Sequence, residues 1–436
     1  MVLIINIIVA IILFWLPVKW YSSGKLKVVG HPFEEDKMIG INVNLQFLVF
    51  SILTAMIFLG PLSLVKYAYW IIVLLILCFT RLNLRFGGIV NTYLVFIAYC
   101  VFSLLFITGD TFSGLMMLIK YTLPLLYLWL AYSAVNDSDD LAYLMKLTTI
   151  GMCVYALIIG GFSAKFLGPL YGFLNYGTGG LFISYAPLAD YFSSLIVVPI
   201  GVYIITKKRI WLLATFWIIL STVLEVVRTG LGGITLAVSL LLLTIYQIKA
   251  VPWILTVVFM AVITVFSVPA VREKMFEDEK VEISSISTDN INFNTIKSHG
   301  REELWEKNMN MFYYPSPAIG SGIGATSGFL KNQKGLKLLH SDYVQMLCDL
   351  GNVGLFLFAC FVLWTLFSII SIAWKSTVPL VIKLTGGMAL GSCGGTFFSM
   401  GFDNVVTYAQ QCFVLPFILI GIFLKVYDLY RQGEWR

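Results

Sequence analysis

Apolar stretches close to twenty residues long recur from one end of this chain to the other, and nothing in the sequence constrains the fold more. A helix rising 1.5 Å per residue needs about 20 mostly apolar residues to cross the hydrocarbon core of a bilayer. Thirteen stretches approach that measure: 3–20, 42–60, 66–80, 88–108, 115–135, 141–162, 185–206, 210–227, 231–248, 251–270, 351–373, 378–400 and 405–425. Lipid offers backbone groups no hydrogen bonds, so spans must be helices or closed barrels, and stretches this long are helices. The expectation is an all-α polytopic membrane protein of about 12–13 transmembrane helices. Composition agrees: 59% of residues are hydrophobic and 12% charged, against roughly a quarter charged in soluble domains. The 22 Tyr and 11 Trp suit rings that settle at headgroup depth, so membrane lipids are the first partner.

Positive charge orients the spans. Lys207, Lys208 and Arg209 stand together between two spans and belong in the cytoplasm. Alternation then collects Lys19, Lys25, Lys27, Lys37, Arg81, Arg85, Lys249, Lys375, Lys425, Arg431 and Arg436 on the same side, while short outer loops keep Lys66 and Lys165. The N-terminus falls outside and the C-terminus inside. Three parts result: an N-terminal transmembrane bundle, 1–270; an extracytoplasmic loop mini-domain, 271–339; and C-terminal transmembrane helices, 340–436. The apolar N-terminus has neither a basic n-region nor a small-residue cleavage site, and is read as a retained first helix. The net charge of +6 is scattered in short clusters, which argues against a nucleic-acid partner. The 7 cysteines lie in or beside apolar spans without zinc-ligand spacing, so no disulfide framework, metal or cofactor is implied.

The large loop holds nine acidic and nine basic residues. Its first part, through Asn294, is rich in polar residues; its second has helical patterning. Ser298 can cap a helix, Glu303 and Lys307 form an i,i+4 pair, and Arg301, Leu304, Trp305, Asn308 and Phe312 share a face before Pro315 and Pro317 end it. Gly320-Ser321-Gly322-Ile323-Gly324 follows; alternating glycines can aim successive amides at an anion, or simply make a turn. His340, in His340-Ser341-Asp342-Tyr343, opens an apolar helix, where the dipole favours a neutral imidazole able to accept a proton. The alternative is a histidine that merely caps its helix. Arg228 lies at the outer end of the eighth span, followed by Gly230, Gly232 and Gly233, which would open space beside a fork suited to phosphate. Glu225 offers it a structural partner instead. Asp190 and Asp403-Asn404 gather on the same outer side, as does the segment 168–185 with Tyr171, Phe173 and Tyr176.

The order of these features resembles the Wzy-type O-antigen and capsular polysaccharide polymerases and the O-antigen ligase superfamily. The residues that carry the resemblance are Arg228-Thr229-Gly230 at a span end and Arg301-x-x-x-Trp305 in a large outer loop. Pro317-x-x-Gly320-x-Gly322-x-Gly324 follows, and then His340-Ser341-Asp342-Tyr343-Val344-Gln345-Met346-Leu347 with Gly351-x-x-Gly354. The family often has Asn where Ser341 stands. The resemblance implies an inverting, metal-independent glycosyltransferase of the GT-C type, at the outer face of the bacterial cytoplasmic (inner) membrane. Its substrate would be an undecaprenyl diphosphate-linked glycan, polymerised into O-antigen, capsular or exopolysaccharide, and its protein partner a chain-length regulator. Arg228 and Arg301 would hold the diphosphate and His340 would serve the acceptor hydroxyl. Asp190, Trp305, Gly322, Gly324, Asp342 and Asp403 are the further substrate-binding candidates. A ligase of the same superfamily would use the same catalytic residues. A flippase or transporter is the reading from another class, against which stands the lack of an internal repeat. A peptidoglycan-type polymerase would need a catalytic Asp such as Asp190 or Asp403.

Overall fold

The computed structural model of the chain describes residues 84–159, 185–224, 227–268, 271, 301–331, 339–408 and 410–435, which form helices with no strand among them. The expected spans 3–20, 42–60 and 66–80, the aromatic stretch 168–184, Glu225 and Ser298 lie outside the described residues. In chain order the elements are α1 (Gly88–Phe106), α2 (Thr111–Ala134), α3 (Ser138–Ile159), α4 (Tyr185–Leu195), α5 (Val197–Thr206), α6 (Ile210–Leu224) and α7 (Arg228–Tyr246). They continue with α8 (Val251–Ser267), α9 (Arg301–Asn308), α10 (Ala325–Lys331), α11 (Asp342–Ala373), α12 (Leu380–Phe402), the single turn α13 (Val405–Tyr408) and α14 (Gln410–Gln432). Six described stretches are long and apolar enough to cross a membrane, and the protein is an all-α, multi-pass membrane protein.

Local chemistry sets the boundaries. Asp110 accepts from the Ser113 amide at 3.1 Å and caps α2 four residues before the apolar run begins. The expected span 185–206 runs through α4 and α5 as one span, because Ile196 between them is itself helical, at φ −55° and ψ −26° with its N–H on Phe192 O at 2.9 Å. Gln247, at φ 55°, turns α7 back into α8, so the apolar run from Arg228 to Ser267 is a hairpin. α14 extends past the apolar stretch to Gln432 because its polar end has partners. Asp428 pairs with Arg85 and accepts from the Tyr132 hydroxyl at 2.9 Å, and Lys425 lies 5.3 Å from the centre of the Tyr132 ring.

The centre of the bundle is α12, buried from Ile382 to Met400 and packed against α4, α5, α7, α11 and α14. Its glycines make this possible. α7 runs antiparallel to it, and a Cβ on Gly391 would come within 2.5 Å of the Ala237 carbonyl oxygen. Small residues let helix backbones approach where lipid supplies no hydrophobic drive.

Two opposite ends follow from these contacts. At one, Tyr430 donates to Thr377 O at 3.0 Å, Gln247 to Trp374 O at 3.1 Å, and Arg85 meets Asp428. The basic residues Lys249, Lys375 and Lys425 cluster around it. At the other lie the 107–110 corner, the start of α7, the loop 314–324 and the junction 402–408.

α11 is broken at Gly351, whose φ of 66° and ψ of −167° no helix contains. The loop 316–324 fills the break: Asn352 N donates to Pro317 O (2.9 Å), Val353 N to Ala318 O (3.0 Å), Ser321 N to Cys348 O (3.0 Å) and Gly322 N to Asp349 O (2.9 Å). Backbone groups freed inside a membrane helix are tolerated only when protein re-satisfies them, and this loop does so.

Candidate functional site

The junction between α12 and α13, residues 402–404, is where the loop elements dock. Arg301, opening α9, donates through Nη1 to Phe402 O at 2.7 Å and so caps the C-terminus of α12. The next residue, Asp403, places Oδ1 3.2 Å from His340 Nδ1. A carboxylate accepts, so Nδ1 is the donor of this bond and Nε2 is the ring nitrogen that it does not use. Asn404, fully buried, accepts the His340 backbone N–H on its side-chain oxygen. His340 itself sits at φ 53°, a left-handed conformation that non-glycine residues adopt rarely and that persists only when neighbours enforce it. Those neighbours are Asn404 on its amide and Trp305, whose indole N–H donates to Leu339 O just before it.

Beneath the histidine the first turn of α11 is locked. Ser341 is the N-cap, accepting from Val344 N at 3.3 Å. The Asp342 carboxylate accepts from Val406 N at 3.1 Å and stands 3.5 Å from Asn404 Nδ2. Gln345 Oε1 receives Asn404 Nδ2 (3.1 Å) and Thr407 Oγ1 (3.2 Å), while its Nε2 donates to Ser327 at 2.8 Å. α10, α11 and α13 are thereby tied to one another under the imidazole.

Arg228 is the first residue of α7 and does not end the preceding span; α6 stops at Leu224. Its position near the C-terminus of α12 follows from the antiparallel pairing, in which Gly232 lies against Phe398. The Arg301 guanidinium is close enough for the two positive charges to repel. A cation at the N-terminus of a helix also has the wrong sign for the helix dipole. Arg228, Arg301 and His340 are all partly exposed, and together they outline a concentration of positive charge beside one oriented imidazole.

Other expectations change. The glycines after Arg228 open no space: Cβ atoms on Gly230 and Gly233 would meet the side chains of Ala189 and Ser193 at 2.8 and 2.6 Å, so these residues serve close helix packing. Gly322 and Gly324 do not form an anion cradle. Gly324 N donates to the Asp349 carboxylate at 3.1 Å, Ile323 N to Ser103 Oγ at 3.0 Å, and Gly320 N to Ser316 O at 2.8 Å, so with Ser321 and Gly322 every amide of the run is engaged inside the protein. Asp190 and Asp342, at 0% and 1% exposure, are too deep to touch a substrate. Trp305 and Asp403 hold the peptide before His340 and its ring, respectively, and reach the site through it. Asn404 and Gln345, which residue type alone does not single out, are the hubs of the network. The available signal was position: Asn404 follows Asp403 as a polar pair between the apolar runs 378–400 and 405–425.

No curated protein matches the chain. Residues 195–359 match the family described as O-Antigen ligase. That stretch contains Arg228, Arg301 and His340 together with the loop that fills the α11 break, and ends before Asp403 and Asn404. Over this matched region, which lies within the helical membrane bundle, the chain is similar to the O-antigen ligase/polymerase superfamily.

Proposed function

We propose that the chain is a glycan polymerase that joins undecaprenyl diphosphate-linked oligosaccharide repeat units at the outer face of the cytoplasmic membrane. The observation that carries this reading is the meeting of Arg228, Arg301 and the His340–Asp403 pair around the C-terminus of α12. A diphosphate leaving group needs fixed positive charge, and guanidinium forks match phosphate oxygens in geometry. Two repelling guanidiniums at a helix N-terminus are relieved when an anion lies between them. The acceptor hydroxyl needs a base along its own line of attack, which Nε2 of a ring oriented through Nδ1 supplies. The oxygen of the acceptor sugar attacks the anomeric carbon with inversion as the bond to the diphosphate breaks. The hydroxyl proton passes to His340, and undecaprenyl diphosphate departs with the bonding electron pair against the two arginines.

On this reading the end bearing Lys249, Lys375 and Lys425 is cytoplasmic and the site is extracytoplasmic. A ligase that passes finished glycan to a separate acceptor would use the same groups, and the family that residues 195–359 match takes its description from that activity. Gel analysis of surface polysaccharide from a strain lacking the gene separates the two. Single repeats on the acceptor identify a polymerase; free lipid-linked polymer with bare acceptor identifies a ligase and overturns the proposal.

A further inference from the structure

Asp190 in α4 is fully buried, and neither of its carboxylate oxygens has a hydrogen-bond partner. The Ser399 hydroxyl stands beside it outside hydrogen-bond geometry, and Asp403 and Asp342 lie within electrostatic reach. Ser399 Oγ is 3.3 Å from Ser193 Oγ. The Ser193 hydroxyl in turn donates to the Asp190 carbonyl at 2.7 Å, with the Gly395 carbonyl at 3.5 Å. With its proton turned onto a carbonyl, Ser193 Oγ keeps its lone pairs for another partner. The Asn404 side-chain N–H groups are directed to Gln345 and Asp342, away from Asp190. The polar groups gathered beside the Asp190 carboxylate are therefore oxygens, two hydroxyls and a carbonyl, on two helices that small residues bring close.

An ionised carboxylate buried in this way is strongly unfavourable unless a cation balances it. We propose that Asp190, Ser193, Ser399 and the Gly395 carbonyl form a binding site for a dehydrated alkali cation, sodium in the first instance, wedged between α4 and α12. Hard oxygen ligands select such ions over the softer metals that imidazole and thiolate hold. Among the described residues no group of three His, Cys, Asp or Glu is placed to hold a metal together, and a single carboxylate calls for a single charge. The ion pins α4 to α12 one turn before Asp403 leaves the helix. Any effect on the His340–Asp403 pair rests on the proposed function, whereas binding itself does not.

The test is therefore one of binding. Thermal unfolding of the purified full chain in detergent is followed in sodium, potassium or N-methylglucamine chloride at equal ionic strength. Sodium should raise the melting temperature by a few degrees in a saturable manner, as ligand linkage requires. Asp190→Asn, isosteric and neutral, should lose that shift. Ser399→Ala should need about tenfold more sodium for the same shift, the loss of one modest ligand interaction. An equal shift in potassium keeps the site and assigns it the wider ion. Equal melting temperatures of the wild-type protein in sodium and N-methylglucamine would overturn the site and leave Asp190 a protonated acid. So would an unchanged sodium shift in Asp190→Asn. Should that variant fail to fold, the Ser399→Ala titration decides alone. None of these readouts depends on glycosyl transfer, so a failed polymerase assay leaves the site standing.

Discussion

His340 is held in a conformation that its own backbone disfavours, and the groups that hold it are the ones that make its imidazole directional. Asn404 fixes its amide, Trp305 the peptide before it, and Asp403 its Nδ1. Replacement of Asp403 by Asn keeps the volume and removes the obligate acceptor, so turnover of lipid-linked glycan should fall by about 100-fold with little change in protein yield. His340→Ala, Arg228→Ala and Arg301→Ala should each slow transfer by about 100-fold to 1000-fold, the range for loss of one preorganised charge contact. In cells each should abolish long-chain product on a gel while immunoblots show normal membrane abundance. Normal polymer from any of the three would remove that residue from the site.

At the level of elements, the break in α11 is the device that brings the loop to the bundle. Gly351 is irreplaceable on two counts: its φ of 66°, and the Ala318 carbonyl and Gly320 amide that a Cβ would approach at 2.5 Å. Gly351→Ala should destabilise the protein by about 2 kcal/mol or more, read as a lowered melting temperature in detergent. Asp349 staples the same loop from below, accepting from Gly324 N, Thr326 N at 2.9 Å and Thr326 Oγ1 at 2.8 Å. Asp349→Ala leaves those donors buried without partners, and a loss of about 3 kcal/mol is expected in the same measurement. Both variants act on the platform beneath His340, so activity should fall with stability.

For the whole molecule, the basic end and the site end are opposed across the bundle. If the basic end is cytoplasmic, a single cysteine placed at Lys208 should be labelled by an impermeant maleimide only after the membrane is opened. One placed at Tyr314, exposed in the docked loop, should react in intact spheroplasts. The reverse pattern would place the site in the cytoplasm and exclude an extracytoplasmic polymerase. Glycine packing carries the architecture at this scale. Gly395→Val drives a side chain into the backbone of Ser193 and should lower the amount of folded protein recovered from membranes more than any of the site variants does.

The succession of apolar stretches determined the helical, multi-pass fold by itself, because lipid leaves the backbone no alternative to internal hydrogen bonding. It placed most of the described spans to within a few residues, while α11 begins at Asp342, nine residues before the expected span 351–373, and α14 runs past 425 to Gln432, where polar partners hold its end. Residue chemistry also marked Arg228 and His340 as candidates, since charge and imidazole near a membrane boundary are unusual enough to notice, whereas Arg301, by itself an ordinary loop arginine, was marked by the family resemblance. What the sequence left open was which polar groups face a substrate and which are spent within the protein. Gly322 and Gly324 read as a possible anion cradle but give their amides to a broken helix, and Asp190 reads as a substrate-binding candidate but lies in the core. Those assignments depend on contacts between residues 25 to more than 200 positions apart. Only the packing of α4, α7, α11 and α12 brings such residues together, and no local pattern encodes it.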